Sequence, residues 1–155
     1  MNNHCCNCCG GIINSTSSNL TNTSGFAAST AGQIIAVVLG GTSISLPDSQ
    51  NLSSDITPNV ANTVFTISPS GRYYISYHVN LSAALAVGTR LLINGSPNTA
   101  STLTATLTRS SFSNNVIVTL PANSTITLEL FGLIGLATLL NGGAGASLTI
   151  IRVAA

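Results

Sequence analysis

The chain has no lysine, no tryptophan and very little charge of either sign. Charged residues make up 5% of its 155 positions, against about 25% in an ordinary globular protein. The cations are Arg72, Arg90, Arg109 and Arg152; the anions are Asp48, Asp55 and Glu129. Four dispersed arginines form no basic stripe, which speaks against nucleic acid as a partner. A surface this poor in charge offers little repulsion between copies, so the protein is expected to associate with itself. The longest apolar tract, Leu130 to Leu140, is short and interrupted by Gly132, Gly135 and Thr138, so no membrane span is expected. The N-terminus has no basic region followed by an apolar stretch, and no secretory signal is expected. Two histidines, three carboxylates and many serines and threonines form no nucleophile–base pair. No catalytic residue, metal ligand or cofactor is therefore assigned. The Asn-x-Ser/Thr matches follow from the Ser, Thr and Asn content.

Cysteine is also absent after position 9. All four thiols stand at Cys5, Cys6, Cys8 and Cys9, in the lead MNNHCCNCCGG. A domain that stapled its own core would spread its cysteines through its strands. Clustered ahead of the folded body, they suit links to another subunit, and intersubunit disulfides are the favoured reading. A metal site is the first alternative, since thiolates and His4 suit zinc. Four ligands within five residues wrap one tetrahedral ion poorly, however, unless several chains share it. A redox pair of C-x-x-C type lacks the strand-to-helix setting that tunes such thiols, and a locally paired tail is the plainest option. Ile12 and Ile13 follow as an apolar pair able to anchor the lead in a groove of a neighbour, or to do nothing.

The chain divides into three parts: a Cys-rich connector at 1–13, a polar spacer at 14–24, and a folded domain at 25–155. The spacer NSTSSNLTNTS cannot bury enough surface to fold alone. From Gly25 onward the hydrophobic period is that of strands. Gln33 to Leu39 (QIIAVVL) reads as a strand covered on both faces, which implies a further buried surface, most simply a symmetric subunit contact. Thr63 to Ile67 is a short strand. Arg72 to Leu81 alternates, with Tyr73, Ile75, Tyr77 and Val79 on one face. Arg90 to Ile93 runs into Asn94-Gly95, a hairpin signal. Strands are also expected over Thr99 to Thr108, Phe112 to Leu120, Thr125 to Leu133 and Ala146 to Val153. No stretch carries a capped helical period. Eight or more strands with frequent turns point to an all-β sandwich of jelly-roll type.

The wording of several segments carries a resemblance as well. GFAASTAGQIIAVVLGGTSISLP, NTVFTISPSGRYYISYHVN, RLLINGSPNTAST, ITLELFGLIGLATLL and ASLTIIRV resemble the C-terminal domain of the collagen-like glycoproteins of the spore exosporium. That domain belongs to the tumour-necrosis-factor-like jelly rolls, and Gly71 to Ile75 corresponds to their G-x-Y element. The resemblance implies a homotrimer whose inner sheet packs around a threefold axis, here with an extended N-terminal arm. It places Tyr74, His78, Glu129 and Phe131 at the trimer interface, an outward solvent face being the other option. Glu129, alone in an apolar strand, is expected to pair with Arg152 or Arg72.

The chain has no Gly-X-Y repeat and no proline-rich leader of the exosporium type. A cysteine-rich connector ahead of a β-sandwich instead resembles the subunits of endospore appendages. The implied role is a structural subunit of a spore-surface fibre, not an enzyme. Its trimers would stack head to tail through the connector and be reinforced by disulfides. The partners implied are self, an exosporium anchor protein and a tip protein, with assembly in the mother cell. The alternative is a trimeric binding or adhesion module at the exosporium surface or fibre tip, attached through the same cysteines.

Overall fold

The computed structural model describes residues 21–155. Among the described residues there are thirteen strands: β1 Ser24–Ala31, β2 Ile34–Val37, β3 Thr42–Ser43, β4 Asp48–Leu52, β5 Ile56–Pro58, β6 Val64–Ile67, β7 Gly71–Leu85, β8 Gly88–Ile93, β9 Ser96–Pro97, β10 Arg109–Leu120, β11 Ser124–Phe131, β12 Gly135–Thr138 and β13 Asn141–Ala154. They form a jelly-roll sandwich. One sheet runs β10-β7-β13-β1-β4; the other runs β5-β6-β11-β8-β9, with β3 also beside β11. A separate ribbon joins β2 to β12. Every pairing is antiparallel. Among the described residues no helix is long and apolar enough to cross a membrane.

The alternation in β7 sets the core. Tyr73, Ile75, Tyr77 and Val79 are fully buried, as are Leu91 of β8 and Ile126, Leu128 and Leu130 of β11. Each large apolar side chain so buried is worth about 1.5–3 kcal/mol relative to exposure. Tyr73 keeps its hydroxyl satisfied by donating to the Pro69 carbonyl at 2.8 Å. Beside it, Gly71 sits at φ +153°, and a Cβ there would lie 2.5 Å from the Ala154 carbonyl. The space beside this glycine is already filled by β13. The Asn94-Gly95 hairpin forms as expected, with Ile93 paired to Ser96. Both turn residues have positive φ, 51° and 76°, which a two-residue type I′ turn requires.

One strand expectation needs correction. Thr99 to Thr108 is not a strand: a 3-10 turn spans Thr99–Ser101, and an irregular loop follows it. Asn98 caps that turn by accepting the Ser101 N–H, a local bond that competes with strand pairing. Within the single chain Gln33 to Leu39 is covered on one face. Its strand, β2, leaves the two main sheets to lie as a ribbon over one end of the core. Ile35 and Val37 face inward, while Ile34 is 66% exposed.

Candidate functional site: assembly surfaces

The described residues present three features of interest: an apolar sheet face, an ion pair under a loop, and two unlike ends. The sheet face is the outward side of β10-β7-β13-β1-β4. Cross-strand register places Ile117, Tyr74, Ile151 and Ser24 in one row over four strands. The next row holds Asn115, Ser76, Thr149 and Phe26, and the one beyond it Ser113, His78, Ser147 and Ala28. Ile117, Ile151, Phe26 and Val153 are all substantially exposed. The face is thus apolar towards the end where the chain enters the fold and polar further along. Between β1 and β4 it dips into a groove of about 380 Å³ lined by Gly25, Phe26, Leu52 and Ile151 among others. Tyr74, half-buried, and His78, exposed, lie on this face.

Glu129 and Phe131 do not. They stand on the outward side of the other sheet, so the four residues expected at one interface divide two and two. Glu129 pairs with Arg90, its direct cross-strand neighbour, and not with Arg152 or Arg72. Arg90 Nε donates to Glu129 Oε1 at 2.7 Å, and Nη2 lies 2.6 Å from the same oxygen. Nη2 also donates to the Gly40 carbonyl at 2.9 Å, and the guanidinium lies 4.3 Å from the centre of the Phe131 ring. The Val38–Thr42 segment folds over this group and leaves Glu129 6% exposed. Gly41, at φ +112°, has its open side directly against the Glu129 carboxylate. The three side chains and the loop form one closed unit within the protomer. Arg152 is committed elsewhere, donating to the Ser70 carbonyl, because β13 ends at the opposite edge of the molecule from Glu129.

The end at which the chain enters is polar. Thr21 donates to the Arg152 carbonyl, Arg152 N–H to the Thr23 carbonyl at 3.0 Å, and Thr23 to the Asp55 carboxylate. Ser53 donates to the same carboxylate. Burial pushes the Asp55 carboxyl up, but the bonds from Ser53 and Thr23, helped by Arg152, outweigh it and hold the group below its ordinary value of 3.8. Thr21 to Ser24, part of the expected spacer, therefore lie against the domain.

The far end is apolar. The ribbon is bridged to β7 through Leu81 and Leu139. Its outward face carries Ile34 (66% exposed), Val38 (49%), Ile134 (72%) and Leu136 (68%). These residues were not singled out from sequence. The two apolar runs, Gln33 to Leu39 and Leu130 to Leu140, were the available signal, but a core strand and a half-exposed ribbon strand read alike.

Among the described residues no three His, Cys, Asp or Glu side chains converge as a metal site needs. Cys5, Cys6, Cys8 and Cys9, with Ile12 and Ile13, lie outside the described residues.

Residues 25–154 match a family model described as the BclA C-terminal domain. A search of curated proteins returns no match. Among solved structures, the globular domain of a zebrafish complement 1qA protein aligns with TM-score 0.59 at 15% identity, covering 84% of this chain and 97% of that one. A rabbit GITRL structure aligns with TM-score 0.52 at 16% identity, over 73% and 92% of the two chains. At such identities the likeness establishes the jelly-roll fold.

Proposed function

The chain belongs to the BclA C-terminal domain family over residues 25–154, and from that membership we propose that it is the structural subunit of a spore-surface fibre. The unit is a homotrimer, formed through the outward face of β10-β7-β13-β1-β4. Trimers stack head to tail through the N-terminal connector, and Cys5, Cys6, Cys8 and Cys9 reinforce the stack as intersubunit disulfides. An exosporium protein anchors the fibre, and a separate protein caps its tip.

The observation that carries this reading is the row Ile117, Tyr74, Ile151 with Phe26 beside it, left open to water in the single chain. Contiguous apolar surface of this kind marks an interaction site in a protein that must stay soluble. With 5% charged residues, no electrostatic barrier keeps copies apart. Tyr74 and His78 fall within or beside the contact. Glu129 and Phe131 support it from the other sheet by holding the Val38–Thr42 loop in place.

The test is sedimentation velocity and negative-stain electron microscopy of the purified full chain, with and without reductant. Trimers are expected under reducing conditions, and fibres that resist denaturant under oxidising ones. A monodisperse monomer in both conditions would refute the proposal. A non-reducing gel showing only monomer would remove the disulfide component.

A further inference from the structure

The two ends of the sandwich differ in a way that assigns a seat to the connector. The described chain begins at Thr21, tied to Arg152 at the polar end. The outward face of the β2–β12 ribbon lies at the other end, with Ile34, Val38, Ile134 and Leu136 all close to half exposed or more. Leu136 pairs with Ala36 and Thr138 with Ile34, so the large side chains alternate across the ribbon, each opposite a smaller one. No charged residue occurs between Gln33 and Leu39 or between Ile134 and Leu140, and none occurs in residues 1–20 apart from His4.

The length of the chain ahead of Thr21 bears on which ribbon is reached. Ile13 precedes Thr21 by eight residues, a span of at most about 28 Å. Arg152, where Thr21 is tied, pairs with Tyr73, and Leu81 lies eight strand residues further on, about 26 Å away. Ile34 pairs with Thr138, next to the Leu81–Leu139 bridge, so a connector reaches the near end of its own ribbon only with all eight residues fully extended back along the domain. In an end-to-end stack, the next copy's ribbon lies beside the exit.

We propose that Ile12 and Ile13 of one copy seat on the outward face of the β2–β12 ribbon of the next, against Ile34 and Leu136. This rests on the head-to-tail reading above and names its receiving surface. Seating covers the apolar end of one trimer with an apolar segment of its neighbour. It also brings Cys5, Cys6, Cys8 and Cys9 to that junction, where thiols of several chains meet.

The test uses the full chain carrying a photo-crosslinking benzoylphenylalanine in place of Leu136, assembled from equal parts of ¹⁵N-labelled and unlabelled protein. Irradiation is expected to join position 136 to a peptide from residues 1–20, with mixed heavy–light pairs showing that the link is between copies. Crosslinks from position 136 to another ribbon or to the polar end, or none at all within formed fibres, would overturn the proposal while leaving the fibre reading intact. Failure of the unmodified protein to form either trimers or fibres would overturn both. As a second arm, Ile34→Ser with Leu136→Ser should abolish fibres and leave trimers with an unchanged melting temperature, since both side chains already face water. Ile12→Ser with Ile13→Ser should do the same, and fibres persisting in either pair of substitutions would contradict the assignment.

Discussion

The hydroxyl of Thr21 donates to the carbonyl of Arg152, so the point where the chain enters the fold is fastened to its last strand. β1 then runs between β13 and β4, paired to both. A pull on the connector acts along β1, across ladder bonds that lie perpendicular to it. Such a load shears many hydrogen bonds together instead of peeling them one at a time. That geometry suits a subunit that transmits tension from its N-terminal segment into its body.

The sheet face can be tested by charge. Ile151→Asp or Ile117→Asp places a carboxylate in the middle of the apolar row, where an interface would strip it of water. Burying a charge without a partner costs at least several kcal/mol, so trimers should give way to monomers at micromolar concentration. Sedimentation equilibrium reads the outcome. Because both positions are exposed in the single chain, the monomer should keep its far-ultraviolet spectrum. A trimer unaffected by either substitution would place the contact elsewhere.

Removing Arg90 leaves Glu129 stranded under the Val38–Thr42 loop. Arg90→Ala is expected to cost about 2–3 kcal/mol in urea unfolding. That lies below the ~3–5 of a fully buried pair, since the Arg90 side chain keeps 19% of its surface in water. Arg90→Met combined with Glu129→Leu should recover most of the loss, because no unpaired charge remains.

Tyr77 is fully buried, and its hydroxyl donates to the Ser101 carbonyl at 2.7 Å, with Thr89 Oγ1 at 3.0 Å. Tyr77→Phe keeps the ring and leaves that carbonyl without its donor. A loss of about 1–3 kcal/mol is expected from the unmet acceptor, measured by the shift in denaturation midpoint. A neutral substitution would mean that water reaches the Ser101 carbonyl.

Asp55 supplies a pH dependence. Its folded value lies below the ordinary 3.8, so the carboxylate stabilises the fold above the unfolded-state value. That contribution is lost as pH falls through the folded one. The melting temperature of the native protein should exceed that of Asp55→Asn near neutral pH. The gap should narrow as the pH falls below the ordinary 3.8. A gap constant over that range would show that the bonds from Thr23 and Ser53 do not depend on the charge.

How much of this was legible beforehand varies by element. The alternation in Arg72 to Leu81 reads directly, because one side of β7 must be apolar and the period of two says which residues share it. The Asn94-Gly95 turn reads equally well, since few residue pairs accept two positive φ values in succession. The partner of Glu129 does not: it follows from β8 lying beside β11 in a given register, and nothing local to Glu129 distinguishes Arg90 from Arg152. The loop over Thr99 to Thr108 was hidden for a different reason. Its strand-like composition is overridden by the Asn98 cap and by Tyr77 taking the Ser101 carbonyl from 24 residues away.

By itself the sequence determined the all-β class, the family over residues 25–154 and the clustering of all four cysteines between positions 5 and 9. Those properties live in local period, composition and order along the chain. Which apolar surfaces remain open was decided by tertiary structure alone. Ile34 and Ile35 are chemically identical neighbours, yet one is 66% exposed and the other 3%. A strand has two faces, and packing against the rest of the fold chooses which one meets water.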